Sequence, residues 1–147
     1  MRYIAHRGNL EGPNKDLENL PSYIELALEV CDAEIDLWVV DNKFYLGHDE
    51  PTYAINPEWL DKHIHKLWIH CKNIEAAETL MESDFNFFWH ENDTITLTNH
   101  GFMWAYPGKQ PVKNSIAVMP EWHNDDVSKC YGICTDYVFK YQKLNQQ

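Results

Sequence analysis

The chain has 147 residues, of which 44% are hydrophobic, and carries a formal net charge of -11. This length suits one domain, expected to span residues 1–147. The acidic balance opposes non-specific association with nucleic acid or an anionic membrane, because both attract basic surfaces; a bound phosphate would have to be held by local charges.

In chain order, "RYIAH" reads as a buried strand that must turn at Arg7-Gly8-Asn9. From Leu20, apolar residues recur at Tyr23, Ile24, Ala27, Leu28 and Cys31, the spacing of one helix face, with Pro21 tolerated in the first turn. "AEIDLWVV" and "KFYLGH" read as two strands joined at Asp41-Asn42, turn formers that close a β-hairpin. Asn56-Pro57 opens a short helix through Trp59, Leu60 and Ile64, and "KLWIHCK" is the next strand. Asn73 caps a helix with Ile74, Ala77, Leu80 and Met81 on one stripe, followed by the strand "FNFFWHE". "GFMWAYPG", "SIAVMPEW" and "YGICTDYV" are further strand candidates, and between the last two only "NDDVSKC" suits a helical turn. Early alternation of strands and helices points to a parallel sheet. About eight strand candidates point further, to a small or trimmed TIM (β/α) barrel with reduced outer helices, since a full one takes about 250 residues.

The cysteines Cys31, Cys71, Cys130 and Cys134 have no zinc-finger spacing, so a reduced intracellular chain is expected. The first residues turn polar too quickly for a signal peptide, and no apolar run approaches the roughly 20 residues that span a bilayer. The expected location is cytoplasmic, without membrane insertion.

Polar residues fall where apolar ones would pack better. His6, Glu34, Asp36, His48, His70, His90, Glu121 and Asp136 all lie within or at the end of strand candidates. Glu34 and Asp36 are two apart on one strand, so both project from the same face about 7 Å apart. Two carboxylates facing inward repel each other and lose hydration unless a cation or a proton intervenes. A divalent metal answers this, and carboxylate oxygens suit magnesium, calcium or manganese. Taken singly, each feature has a plainer reading: acid-x-acid pairs occur on solvent-facing sheet edges, and a buried histidine commonly bonds a carbonyl. The combination carries the argument. Trp38, Trp68, Trp89, Trp104 and Tyr106 are read as core packing ahead of a substrate platform, and "YPGKQP" reads as a rim loop whose Lys109 could meet an anionic substrate.

"AHRGN" after the first strand, "LEN" at Leu17–Asn19, "AEIDLW" and "FYLGHDEP" occur in an order that resembles the signature of glycerophosphodiester phosphodiesterases, in the phospholipase-C-like phosphodiesterase superfamily. "YGICTDYV" resembles that family's final barrel strand. The resemblance is close over residues 3–51, present at 131–138 and loose between. It implies a TIM barrel and a phosphoric diester hydrolase in which His6 and His48 are the acid-base pair, Arg7 grips the phosphate, and Glu34 and Asp36 hold the metal. A neighbouring substrate hydroxyl that attacks first would give a cyclic phosphate. "WIHCKN" departs from the pattern, with His70 where a third acid is expected and Lys72 in the place of a phosphate-binding lysine. His70 then serves as a metal ligand or a third acid-base group, and Glu121 is the replacement acid. The cofactor expected is magnesium or calcium first, with manganese or zinc as the alternative that an imidazole ligand favours. The expected partner is a small phosphodiester. A second reading, favoured by His70, is a non-catalytic phosphate- or metal-binding domain of the same fold.

Overall fold

The computed structural model describes residues 1–146. Its elements are β1 (Arg2–His6), α1 (Pro21–Leu28), β2 (Asp32–Val40), β3 (Lys43–Leu46), β4 (Tyr53–Ile55), α2 (Pro57–Lys62), β5 (Leu67–Cys71), α3 (Ile74–Met81), β6 (Asn86–Trp89), β7 (Ile95–Leu97), β8 (Met103–Ala105), β9 (Ser115–Val118), a 3₁₀ turn at Pro120–Trp122, β10 (Gly132–Thr135) and α4 (Val138–Asn145).

Seven strands run parallel in the order β6, β5, β2, β1, β10, β9, β8. Antiparallel strands are attached at two places: β3 and β4 beside the far end of β2, and β7 beside β8. Strand β2 is long enough to bind three neighbours. Its start lies against β1, with His6 opposite Glu34, and its end lies against β3 on the same edge. The other edge takes β5, with Asp36 opposite His70. Asp41 and Asn42 both have positive φ (52° and 65°), the two-residue turn that matches strand twist, so the expected hairpin forms.

The sheet curls into a half-barrel. The expectation of a trimmed TIM barrel is therefore corrected: the sheet is mixed, strands dominate, and the four helices are short. Helix covers only part of the outer face. Ile24 and Leu28 of α1 and Ala76 and Leu80 of α3 pack on Ile35, Leu37, Leu67, Ile69 and Phe87. From β7 to β10 the connections are loops and one 3₁₀ turn, so strand-helix alternation stops there. The concave face is filled by Ile4, Trp68, Phe88, Trp104, Ile116 and Val118.

Expected elements recur with boundaries shifted by a few residues, as at α1 and α3, whose Asn73 side chain accepts from the Ala76 amide. Strands β4 and β7 have three residues each, too few to establish an alternation. Helix α4 has no counterpart among the expected elements, and "NDDVSKC" forms isolated turns in irregular chain instead of a helical turn. No helix among the described residues is long and apolar enough to cross a membrane.

Candidate functional site

The carboxyl ends of the parallel strands open into a cleft of about 440 Å³, where side chains leaving successive strands converge. Its polar wall is built by β1, β2, β5 and the loops that follow β3 and β10. Strand register alone brings His6 beside Glu34 and Asp36 beside His70.

Asp36 is 1% exposed and Glu34 3% exposed. The Asn19 amide donates to Asp36 Oδ2 at 2.8 Å while its carbonyl accepts from the Asp36 amide at 3.0 Å, which fixes the carboxylate's orientation. Arg7 Nε lies 3.3 Å and His48 Nδ1 3.6 Å from the same Oδ2, and His70 Nδ1 lies 3.1 Å from Oδ1. Burial works against the Asp36 charge, but the adjacent His48 and His70 rings and the charge of Arg7 outweigh it and hold the carboxyl well below the usual carboxylate range. Glu34 is pushed the other way, by burial and then by the Asp36 charge. One acid is thus firmly ionised and its neighbour resists ionising.

One ligand atom each from Glu34, Asp36 and His70 lie within 4.8 Å of one another, so the three could hold a metal ion. Hydrogen bonding supports the fit. His70 Nε2 lies 3.3 Å from the His90 carbonyl oxygen, which only accepts, so Nε2 carries a proton, and Nδ1 faces Asp36, where a cation would take the place of the ring's second proton. The His70 ring also stacks on Phe88, with centroids 5.2 Å apart and planes at 11°. Asp36 Oδ1 is buried without a hydrogen bond among the described residues. On the neutral ring, an Nδ1 lone pair beside a carboxylate oxygen is what a cation would reconcile, and a backbone carbonyl behind a histidine is the usual support of a metal-binding imidazole.

His6 is held by Asp136, whose Oδ1 lies 2.8 Å from Nδ1, leaving Nε2 toward Glu34 at 3.9 Å. Burial disfavours the imidazolium, yet the Asp136 hydrogen bond and the Glu34 charge raise the His6 pKa overall. For Asp136 burial is likewise overcome, here by the hydrogen bond and charge of His6, and its pKa falls. Arg7 has a left-handed backbone (φ 54°) and donates to Glu18 Oε1 and His48 Nε2, both at 3.3 Å. Glu18 also accepts from Asn9 at 2.8 Å and from the Asn14 amide at 3.0 Å. His48 follows Gly47, where an added Cβ would collide with the Glu50 carbonyl, and the Gly47 carbonyl is tied to Trp38 Nε1 at 2.7 Å. Comparison with protein-family models, with curated proteins and with solved structures finds no match.

The structure therefore brings together His6, Arg7, Glu34, Asp36, His48 and His70. Lys72 and Lys109 do not line the cleft. Glu121 stands apart from the three-residue cluster: it accepts from Thr135 Oγ1 at 2.8 Å, the Asp136 amide at 3.4 Å and the Tyr141 hydroxyl at 3.5 Å. The expectation that Glu121 is a metal ligand is replaced by a fastening role between β9, β10 and α4. Glu18 and Asn19 act in "LEN", which the sequence marked as a motif without saying what its side chains do. The Thr135-Asp136 step at the end of β10 likewise supplies the partner of His6. On the opposite wall Trp104 and Tyr106 line the cleft besides packing, and Tyr106 stacks on His90 with its hydroxyl buried and without a partner among the described residues.

Proposed function

We propose that this chain is a metal-dependent phosphodiesterase that acts on a glycerophosphodiester or a related small phosphodiester, a compact relative of the glycerophosphodiester phosphodiesterases. The observation that carries the reading is one cleft in which a carboxylate pair and an imidazole fit a cation, with an arginine and two further histidines beside them. The ordered resemblance over residues 3–51 supports it.

Glu34, Asp36 and His70 would hold a divalent ion, which supplies Lewis-acid stabilisation of charge on the phosphoryl oxygens. A nitrogen donor favours manganese or zinc over calcium and magnesium in that place. Arg7 offers guanidinium N–H groups to the same oxygens, and Glu18 and Asp36 hold it in position. With Nδ1 engaged by Asp136, His6 Nε2 takes the proton from the attacking hydroxyl as the new P–O bond forms. His48, half exposed at the mouth, delivers a proton to the alkoxide as the old P–O bond breaks, after Nε2 has exchanged the Arg7 N–H for a proton from solvent and Arg7 has turned to the phosphate. A substrate whose own adjacent hydroxyl attacks reaches a cyclic phosphate and the free alcohol by these two proton transfers, and attack of water on that ring would be the second displacement.

The test is hydrolysis of bis-p-nitrophenyl phosphate and glycerophosphocholine by metal-stripped protein titrated with magnesium, calcium, manganese and zinc. Turnover that requires an ion and disappears in His6→Ala is the expected result. Metal binding without turnover of either compound favours the second reading, a non-catalytic phosphate- or metal-binding domain, for which His70 in place of a third acid is the specific observation.

A further inference from the structure

The two walls of the cleft differ in kind. Opposite the ionic wall, Trp104, Tyr106, Pro107, Val118, Met119 and Trp122 contribute carbon surface and no charged group. Trp122 is 65% exposed, a large apolar side chain left at the rim. Its position is built, not incidental. Met119 adopts a left-handed conformation (φ 45°, ψ 52°) that a bulky residue rarely takes, and backbone of this kind persists only where its surroundings impose it. Here the Met119 amide donates to the Cys134 carbonyl at 2.8 Å, and Glu121 is fastened to Thr135 and Tyr141. The neighbouring rim loop is tied in as well, since the Gly108 amide donates to Asp125 Oδ2 at 2.9 Å and the Asp125 amide to the Pro120 carbonyl at 3.0 Å.

We infer that the cleft takes a phosphodiester whose alcohol arm is apolar, an aryl or alkyl group that lies against the Met119–Trp122 turn while the phosphate faces Arg7. This rests on the phosphodiesterase reading and adds the substrate class. The charge pattern sets the orientation: the anionic group is matched by Arg7 and the cation site, and a polar arm would meet no charged side chain at Val118, Met119 and Trp122, the basic lining groups outside the ionic wall being Lys15 and His90, which is stacked on Tyr106. An indole carried on a fixed backbone turn has only two side-chain torsions to lose on covering an apolar group, which makes it an efficient contact.

The experiment uses manganese-loaded full-length protein and three monomethyl phosphonate esters that resist hydrolysis, carrying a phenyl, a methyl or a trimethylammonioethyl group, with binding read by isothermal titration calorimetry. The phenyl ester is expected to bind about tenfold more tightly than the methyl ester, as burial of a ring against carbon surface implies, and to lose most of that advantage in Trp122→Ala. Equal affinity of phenyl and methyl esters, or a phenyl preference unchanged in Trp122→Ala, overturns the inference and leaves the phosphodiesterase reading standing. Tighter binding of the trimethylammonioethyl ester also overturns it, by making Trp122 a cation-π platform. Binding of none of the three overturns both. Because Trp122 is at the rim, its replacement leaves the core intact, and circular dichroism of the variant checks this directly.

Discussion

The half of the molecule that carries strands β1 to β6 and the half from β7 to β10 solve different problems. In the first, α1 and α3 cover the outer face, so β2 and β5 are packed on that side by Ile35, Leu37, Leu67 and Ile69 and present Glu34, Asp36 and His70 on the other. In the second, strands follow one another through loops, and the cleft side bears aromatic and sulfur-containing residues. Groups that need fixed geometry sit on long, helix-backed strands. The surface that meets the variable part of a ligand sits where loops are tied together by side chains such as Glu121 and Asp125.

Substitutions that separate the halves test this division. Asp36→Asn should have the largest effect, a loss of about 10³-fold in turnover together with loss of the bound ion, since it removes the more firmly ionised of the two proposed carboxylate ligands. Rate assays and metal analysis on the same preparation check it, and retained metal with full activity would break the comparison. Asn19→Ala leaves every proposed ligand in place but frees Asp36 to rotate, so metal affinity or rate should fall about 10- to 100-fold. Titration of manganese into the stripped variant measures that drop. Glu121→Ala acts in the other half. It should leave metal affinity unchanged and cost about 1–3 kcal/mol of stability in urea unfolding, because Thr135 and the Asp136 amide lose an acceptor. A fall in metal affinity equal to that of Asn19→Ala would return Glu121 to the ion.

The smallest effect concerns the thiols. Burial pushes the Cys71 thiol up to about 12, and Cys134 is raised well above its usual value by burial and then the Glu34 charge. At pH 8 both should stay unlabelled by a thiol reagent while partly exposed Cys130 reacts first. Labelling of Cys134 well ahead of Cys71 would show that the loop-joined half opens more readily than the helix-backed one.

Much of the ionic wall was legible because it depends on short-range rules. A period of two on β2 puts Glu34 and Asp36 on one face, and a hairpin turn at Asp41-Asn42 returns the chain toward His48. What joins these to His70 and Asp136 is strand pairing between distant segments, which the resemblance suggested and periodicity alone does not contain. Glu121 shows why the second half was harder to read. Its place at a strand end suggested the rim, but the left-handed backbone at Met119 directs the following residues toward β10 and α4. Lys72 and Lys109 carried the right charge without any local signal of where they sit. The barrel expectation failed for a related reason: helices alternate with strands only through β6, and three-residue strands such as β4 and β7 leave too little pattern to read.

The most direct test of the account is calorimetric titration of manganese into the metal-stripped protein and its Asp36→Asn variant. The account predicts one ion per chain in the parent and none in the variant. No binding by the parent, or equal binding by both, would contradict a metal centre built on Glu34, Asp36 and His70.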